Sequence, residues 1–324
     1  MEVIRSKINH SLDLSNYLDP RSCFIDIETT GLARQRDLIY LIGVLYKKGE
    51  AWILDQFFLN DITREAELLE AAIRLINSFQ GIINYNGTSF DLPFINARAE
   101  KYGLEARLDL EKSFDIYRLV RSNRDYLDLQ DLKLKSLEEY LGYFREDQYS
   151  GYECIKFYKD YIVAENLENK ERVLAHNFDD LVNMLDIMEI IDIIRKRKSL
   201  RLSSAGKDYD FYLASIDFLN DRLRISGQIR PDLELDLVNY GKNYGFRSHK
   251  KNEFQAYLEL SRGYIAEGQV ASFLNLDDYG FYPESTIRGQ YRIPDYIYPV
   301  KIGKQILLEN IQALVAEFIK NKIL

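Results

Sequence analysis

The sequence predicts an α/β protein, a mixed five-stranded sheet with flanking helices, followed by a β-rich antiparallel C-terminal domain that ends in a helix. Up to about residue 195, apolar runs of strand length alternate with stretches whose apolar residues recur at helical spacing, the pattern of strands and helices packed in layers. Between residues 208 and 300 the pattern becomes tyrosine-rich and alternates in polarity, as in Tyr212–Phe218, Arg222–Ile225 and Phe254–Leu260. Such alternation belongs to antiparallel strands with one solvated face, in a sheet or an open barrel. The change of composition near residue 200 places domains at 1–199 and 200–324.

Composition narrows the class. At 324 residues the chain exceeds most single domains, and 46% hydrophobic with 29% charged residues is ordinary for a globular protein with a sizeable core. Neither end carries an apolar run long enough to span a bilayer, and Met1-Glu2-Val3-Ile4-Arg5 does not resemble a signal peptide, so a cytoplasmic location without a membrane partner is expected. Cys23 and Cys154 are the only cysteines, which argues against a disulfide framework or a thiolate zinc site. Residues 200–324 hold 16 basic and 16 acidic side chains, so the formal charge of −8 resides in residues 1–199. A protein binding duplex DNA mainly by counterion release would carry the opposite sign, and a nucleic-acid substrate therefore needs a local basic patch or bound metals.

Taken in order, the chain opens with a polar lead-in from Arg5 to Pro20. Cys23-Phe24-Ile25 with Ile27 then reads as a buried strand, and Thr29-Thr30-Gly31 turns the chain away. Asp37–Tyr46 and Ala51–Phe58, joined by the short turn Lys47–Glu50, complete an antiparallel meander. Thr63-Arg-Glu-Ala-Glu opens a helix with a capping signature, its buried stripe being Leu68, Leu69, Ala72, Ile73, Ile76 and Phe79, and Gly81 stops it. Ile82–Tyr85 is a short fourth strand, and Asn86-Gly87 leads into a helix with Asp91 near its N-cap and Pro93 in its first turn. Lys112–Tyr117 supplies the fifth strand, where Asp115 either supports a site or merely ends the strand. Helices follow at Leu132–Leu141, closed by Gly142, and from Ser150 to Val163. The longest helix is predicted from about Glu168 to Lys196. The positive run Arg195–Lys198 at its end fits a solvated helix terminus or, more sharply, a phosphate-contacting patch. In the second domain, turns are predicted at Asn220-Asp221 and Arg262-Gly263. Gly-Gln pairs at 227, 268 and 289 hint at a reused hairpin of roughly 20 residues, and a helix runs from about Gly303 to Lys322. No catalytic constellation is found there.

Asp26 and Glu28 stand in the first strand where apolar residues are expected. Two apart on a strand, they face the same side, and like charges held there must share a cation or take up a proton. Oxygen-only ligands suit magnesium or manganese rather than zinc. Alone, the pair also fits a strand-end Asp beside an exposed Glu. Asp91 alone fits a helix cap, and His176 with Asp180, four apart on one helix face, fits a solvated contact. Asp26, Glu28, Asp91 and Asp180 nevertheless all fall at places consistent with one cleft.

Phe-Ile-Asp-Ile-Glu-Thr-Thr-Gly-Leu (24–32), Asn-Tyr-Asn-Gly-Thr-Ser-Phe-Asp-Leu-Pro (84–93), Phe-Asp-Ile-Tyr (114–117) and His-Asn-Phe-Asp-Asp (176–180) together resemble the DEDD superfamily of 3′–5′ exonucleases, with their ribonuclease H-like fold. More narrowly the chain resembles the YprB-like branch, over about residues 20–195. The resemblance implies that Asp26, Glu28, Asp91 and Asp180 hold two divalent ions, Mg2+ or Mn2+, with His176 as general base. By the same resemblance, Thr29, Thr30 and the backbone beside Gly31 line the pocket of the terminal nucleotide. Asn86 and Phe90 are further candidates for touching the strand, Phe90 by stacking or else as a core residue. The interval of four between His176 and Asp180 departs from the five usual in histidine-bearing members and matches the tyrosine-bearing subgroup, and Asp179 is the alternative ligand. The function implied is a two-metal 3′–5′ exonuclease releasing nucleoside monophosphates from single-stranded DNA or RNA. The alternatives are a non-catalytic nucleic-acid-binding scaffold, against which a costly carboxylate cluster argues, and a metal-dependent endonuclease. The C-terminal domain would clamp substrate or recruit a protein partner.

Overall fold

Residues 1–127, 129–144, 149–204, 206–233, 236–250, 252–283 and 293–324 are described by a computed structural model. The chain divides into two units, Met1–Asp192 and Ile193–Leu324. Each has its own apolar core.

The first unit is organised on β2 (Ser22–Thr29), a strand with almost no exposed residue. β3 (Ile39–Lys48) and β4 (Ala51–Phe58) run antiparallel to their neighbours, as the short turn at Gly49 requires, with Gly49 at φ +62. On the other side of β2, β5 (Gly81–Asn84) pairs parallel, which needs a crossover, supplied by α1 (Glu65–Ile76). β6 (Ser113–Asp115) adds a second parallel pair. The α1 stripe Leu68, Leu69, Ala72, Ile73 and Ile76 is fully buried against the sheet, with Phe79 packed at its margin. α2 (Asp91–Lys101), α3 (Ile116–Ser122), α4 (Leu134–Leu141), α5 (Gly151–Ala164) and α6 (Leu167–Asp186) complete the layers.

The sheet has six strands rather than five, in the order β1-β4-β3-β2-β5-β6. The extra strand, β1 (Glu2–Ile8), comes from the stretch read as a polar lead-in. It lies at the edge, so every second side chain faces water, and its Arg5 makes a bidentate pair with the buried Asp55 on β4 at 2.6 and 2.7 Å. The helix after β4 starts later than predicted because Asp61, not Thr63, accepts from the Thr63 N–H and caps a lead-in turn at Ile62–Arg64. It also ends at Ile76, so Gly81 opens a strand instead of stopping the helix. The predicted long helix is broken: α6 gives way to a 3-10 turn at Ile187–Glu189 before α7 (Ile190–Arg197). Among the described residues no helix is long and apolar enough to cross a membrane.

In the second unit, a six-stranded antiparallel sheet comprises β7 (Ser199–Ser204), β8 (Lys207–Leu219), β9 (Arg222–Arg230), β10 (Val238–Tyr240), β11 (Tyr244–His249) and β12 (Glu253–Glu259). A four-stranded one comprises β13 (Ser261–Ala266), β14 (Gln269–Asn275), β15 (Ile297–Ile302) and β16 (Gln305–Ile306). The closing helix, α8 (Leu308–Lys322), starts after the β15–β16 hairpin, whose turn takes Gly303 at φ +57. Arg262-Gly263 lies inside β13 instead of in a turn, paired with Ser272 and Ala271. The two described Gly-Gln pairs stand in different structural settings. Gly227 sits within β9, where a Cβ would come within 1.8 Å of the Tyr212 carbonyl oxygen, whereas Gly268 is a hairpin turn at φ +74. Residues 289 and 290 lie outside the described residues. Of the basic run after Ile194, Lys198 is not solvated: it is buried and its Nζ donates to the Ala214 carbonyl at 2.8 Å.

α6 seats directly on the sheet because β3 offers no side chain at Gly43. A Cβ there would lie 2.2 Å from Leu181 Cδ1 and 2.4 Å from Asn177 Oδ1. Gly43→Ala is therefore expected to lower unfolding stability by about 1–3 kcal/mol through overpacking, read from urea denaturation at unchanged m value. A loss below about 0.5 kcal/mol, within the range of an ordinary surface change, would contradict this seating.

Candidate active site

Asp26 and Glu28 are carried by β2, and the local chain explains where they point. β2 and β5 stay paired only as far as Phe24 and Ile83, after which the strands part. The Ile27 N–H thus loses a strand partner, and the carboxylate of Asp91, first residue of α2, takes it at 3.2 Å through Oδ1. Asp91 is consequently not a cap for its own helix, whose N-cap position is Phe90 with no side-chain cap. It is drawn into the gap at the carboxyl end of the sheet, where open α/β sheets form their crevices.

On the β3 side, the β2–β3 register shifts between Glu28 and Thr29. Glu28 pairs with Leu41 and Thr29 with Ile39, so Tyr40 is the extra residue of a bulge. Its hydroxyl donates to Glu28 Oε2 at 3.4 Å, and its ring stacks on Tyr158 at 4.1 Å between centroids.

α6 brings the remaining groups. His176 Nε2 lies 3.7 Å from Glu28 Oε1 and 3.7 Å from Asp180 Oδ2. Glu28, His176 and Asp180 offer ligand atoms all within 4.8 Å of one another, a grouping that takes Asp180 and not Asp179. Between these two, Asn177 points into the sheet. Its Nδ2 donates to Asp26 Oδ2 at 2.8 Å, and its Oδ1 accepts from Gln56 Nε2 at 3.0 Å. Gln56, Gly43 and Asp26 are register partners across β4, β3 and β2, so one cross-strand row holds the amide, the clearance and the carboxylate together.

The electrostatics among these side chains are adverse. Burial drives the Asp26 carboxyl well above its usual range, with Asp180, Asp91 and Glu28 adding repulsion. Burial also lifts Glu28 to about 8, against the opposing pull of His176, and Asp91 to about 7, against hydrogen bonds from its own N–H and that of Ile27. Among the described residues no lysine or arginine lies within ion-pair distance of Asp26, Glu28 or Asp91. Buried oxygens in mutual repulsion, with one imidazole beside them, are the donor set of a hard divalent cation. Glu28, His176 and Asp180 come together at the spacing of such a site, while Asp26 and Asp91 interact with it electrostatically and lie outside that grouping.

The other expected residues sit around this centre in supporting positions. Thr29 Oγ1 donates to the Gly31 carbonyl at 2.7 Å, and Thr30 Oγ1 accepts from the Leu38 N–H at 2.9 Å, so both hydroxyls shape the β2–β3 loop. Gly31 has no room for a Cβ, which would meet Asp37 Oδ2 at 2.4 Å. Asn86 is exposed at φ +65, its N–H held by Asp115 Oδ1 at 2.8 Å. Asp115 is the last residue of β6 and caps α3, and its charge adds repulsion at Asp91. Phe90 is half-buried, tilted against Phe94 at 5.4 Å. Sequence reading missed Asn177, Gln56 and Tyr40. The available signals were an amide inside the His-Asn-Phe-Asp-Asp run and a glutamine in an otherwise apolar strand end.

Over 210 residues the chain is 25% identical to the uncharacterized protein YprB of Bacillus subtilis (strain 168), a match covering 63% of this chain and 49% of that protein. The chain thus spans about half the length of the curated relative it matches. A solved structure of the family B DNA polymerase from the hyperthermophilic archaeon Pyrobaculum calidifontis aligns with 63% of this chain and 33% of its own, at 14% identity and a TM-score of 0.39. Residues 23–192, the span that holds every group of the acid cluster, match the family model of the RNase H superfamily, and the chain belongs to that superfamily.

Proposed function

We propose that this member of the superfamily is a metal-dependent 3′–5′ exonuclease that hydrolyses phosphodiester bonds at single-stranded DNA or RNA ends and releases nucleoside monophosphates. The observation that carries the reading is the meeting of buried Glu28 and His176 with half-buried Asp180, beside Asp26 and Asp91. A binding protein has no use for carboxylates that repel a polyanion, whereas phosphodiester hydrolysis does. In this reading Asp26, Glu28, Asp91 and Asp180 hold two divalent ions, Mg2+ or Mn2+. Bound there, the ions supply Lewis-acid activation of the attacking water and stabilise charge on the leaving 3′ oxygen. His176, 3.7 Å from two of the carboxylates, accepts the water's proton as general base. Asn177 occupies one oxygen of Asp26 and leaves the other for a cation.

The direct test is a panel of 5′-labelled, 3′-labelled and circular single strands with manganese or with chelator. Linear strands are expected to shorten from the 3′ end only with manganese, and circles to survive. Cutting of the circle would make the protein an endonuclease instead. His176→Ala should lower turnover by roughly 10²–10⁴-fold, the usual contribution of a positioned base.

Metal removal makes a second expectation, with a definite sign. Glu28 and Asp91 titrate near 8 and 7 when folded, against ordinary values of 4.5 and 3.8. The folded state then holds protons that the unfolded chain has released. Their contribution to stability is complete below the ordinary carboxylate range and is lost as pH rises through about 7 and 8. Metal-free protein should melt progressively lower toward pH 8 than the Glu28→Gln variant, and manganese should remove the difference. A wild-type minus variant difference that stays flat with pH would refute the buried-acid electrostatics.

Asn177→Leu keeps the volume and deletes the donor to Asp26. It should weaken manganese binding by roughly 10–100-fold in calorimetry, as loss of a supporting partner behind a ligand does. Unchanged affinity would show that Asp26 needs no such support.

A further inference from the structure

The acid cluster lies in the part of the chain that holds its whole formal charge of −8, so a polyanionic substrate must find compensation close by. Two guanidinium groups from different elements converge on Ser89, two residues before Asp91. Arg34, on the loop between β2 and β3, donates through Nη2 to the Ser89 carbonyl at 2.6 Å. Arg118, on α3, donates through Nη2 to Ser89 Oγ at 3.2 Å. Ser89 is exposed and stands two residues before Asp91, on the turn that starts at Asn86. Among the described residues Arg34 has no carboxylate within ion-pair distance. Arg118 has Asp115 Oδ2 at 3.6 Å, and its own side chain is 58% exposed.

Arg34 stands on a loop whose backbone is held from behind by a buried ion pair. Glu65 and Arg98 form an ion pair with both side chains 0% exposed, a costly burial unless every donor is used. They are used on the loop: Arg98 Nη1 donates to the carbonyls of Gln35 at 3.2 Å and Arg34 at 3.5 Å, and Glu65 Oε1 accepts from the Ile39 N–H at 2.9 Å. Tyr102 donates to Glu65 at 2.8 Å, and Lys101 Nζ adds a bond to the Gln35 carbonyl at 3.0 Å. The loop backbone is thereby fixed with Arg34 aimed at Ser89.

We propose that Arg34 and Arg118 form a phosphate-binding subsite for single-stranded polynucleotide, flanking the acid cluster and indifferent to whether the sugar is ribose or deoxyribose. The proposal rests on the nuclease reading for the identity of the anion. Guanidinium forks match the oxygens of a backbone phosphate, and nothing in this pair addresses a base edge or a 2′-hydroxyl. The salt slope counts phosphates neutralised, about 0.7 for each on a single strand, so one phosphate held by the pair accounts for about 0.7.

The test is fluorescence anisotropy of 5′-fluorescein oligo(dT) and oligo(rU), with calcium in place of magnesium, across a salt series. Arg34→Gln with Arg118→Gln should weaken binding at low salt and reduce the slope of log affinity against log salt by about 0.7, equally for both oligonucleotides. The double Arg→Lys variant keeps both charges and should retain the wild-type slope, which guards against a folding defect in the Gln pair. A Gln pair with the wild-type slope, or a loss confined to one sugar, would overturn the proposal. Were the exonuclease reading alone to fail, wild-type protein would bind the strand without trimming it in manganese, and the arginine-dependent slope would still support the subsite.

Discussion

Carboxylates on a strand that is buried on both faces are the constraint from which the rest of the first unit follows. Asp26 and Glu28 cannot be moved to water without turning β2 over, because its intervening residues Ile25 and Ile27 belong to the core. Nor can they be left alone, since desolvation and mutual repulsion favour the neutral acids, and Asp91 and Asp180 make the repulsion worse. The fold therefore accepts a local electrostatic penalty in holding these oxygens together. Local conflict of this kind, in a sheet that is otherwise consistent at every level, marks a functional site.

What keeps the conflict from melting the strand is a set of neutral contacts. Asp26 takes its donor from Asn177, Glu28 from Tyr40, and Asp91 from the Ile27 backbone, so each acid has one oxygen fixed by a group that adds no charge. A lysine or arginine at any of these places would neutralise the acid and compete with a cation. The absence of such a partner around Asp26, Glu28 and Asp91, among the described residues, contrasts with Asp55 and Glu65, buried acids in the same unit that are paired with Arg5 and Arg98. The unit thus treats buried carboxylates in two ways. Those that only hold the fold together are matched with arginine, and those of the cluster are left to amides, a phenol and the backbone.

This division was only partly legible in the sequence. The α1 stripe and the β2–β3–β4 meander were legible because apolar spacing and a short turn encode them locally. The acids of the cluster were legible because a carboxylate amid isoleucines is conspicuous. β1 was not: an edge strand half in water has the composition of a polar lead-in, and its partner Asp55 lies 50 residues away. Tyr40 was invisible because its role comes from a bulge, and register shifts leave no mark on composition. Asn177 was passed over because it stands between His176 and Asp180, where a helix neighbour is expected to face elsewhere. Its orientation depends on the missing side chain of Gly43, two elements away. The break after α6 was missed since Ile187, Met188 and Ile190 continue the apolar pattern while the backbone tightens.

The two units also divide the chemistry. The family match ends at residue 192, the same residue at which the first unit ends, and every member of the acid cluster precedes it. Formation of the cluster needs α6 on the sheet, the bulge in β3 and the parting of β2 from β5, all of which are interactions inside the first unit. The second unit, charge-balanced and built on two antiparallel sheets with its own core, supplies none of these groups. Assembly of the acid cluster therefore draws on residues of the first unit, through covalent order and local packing.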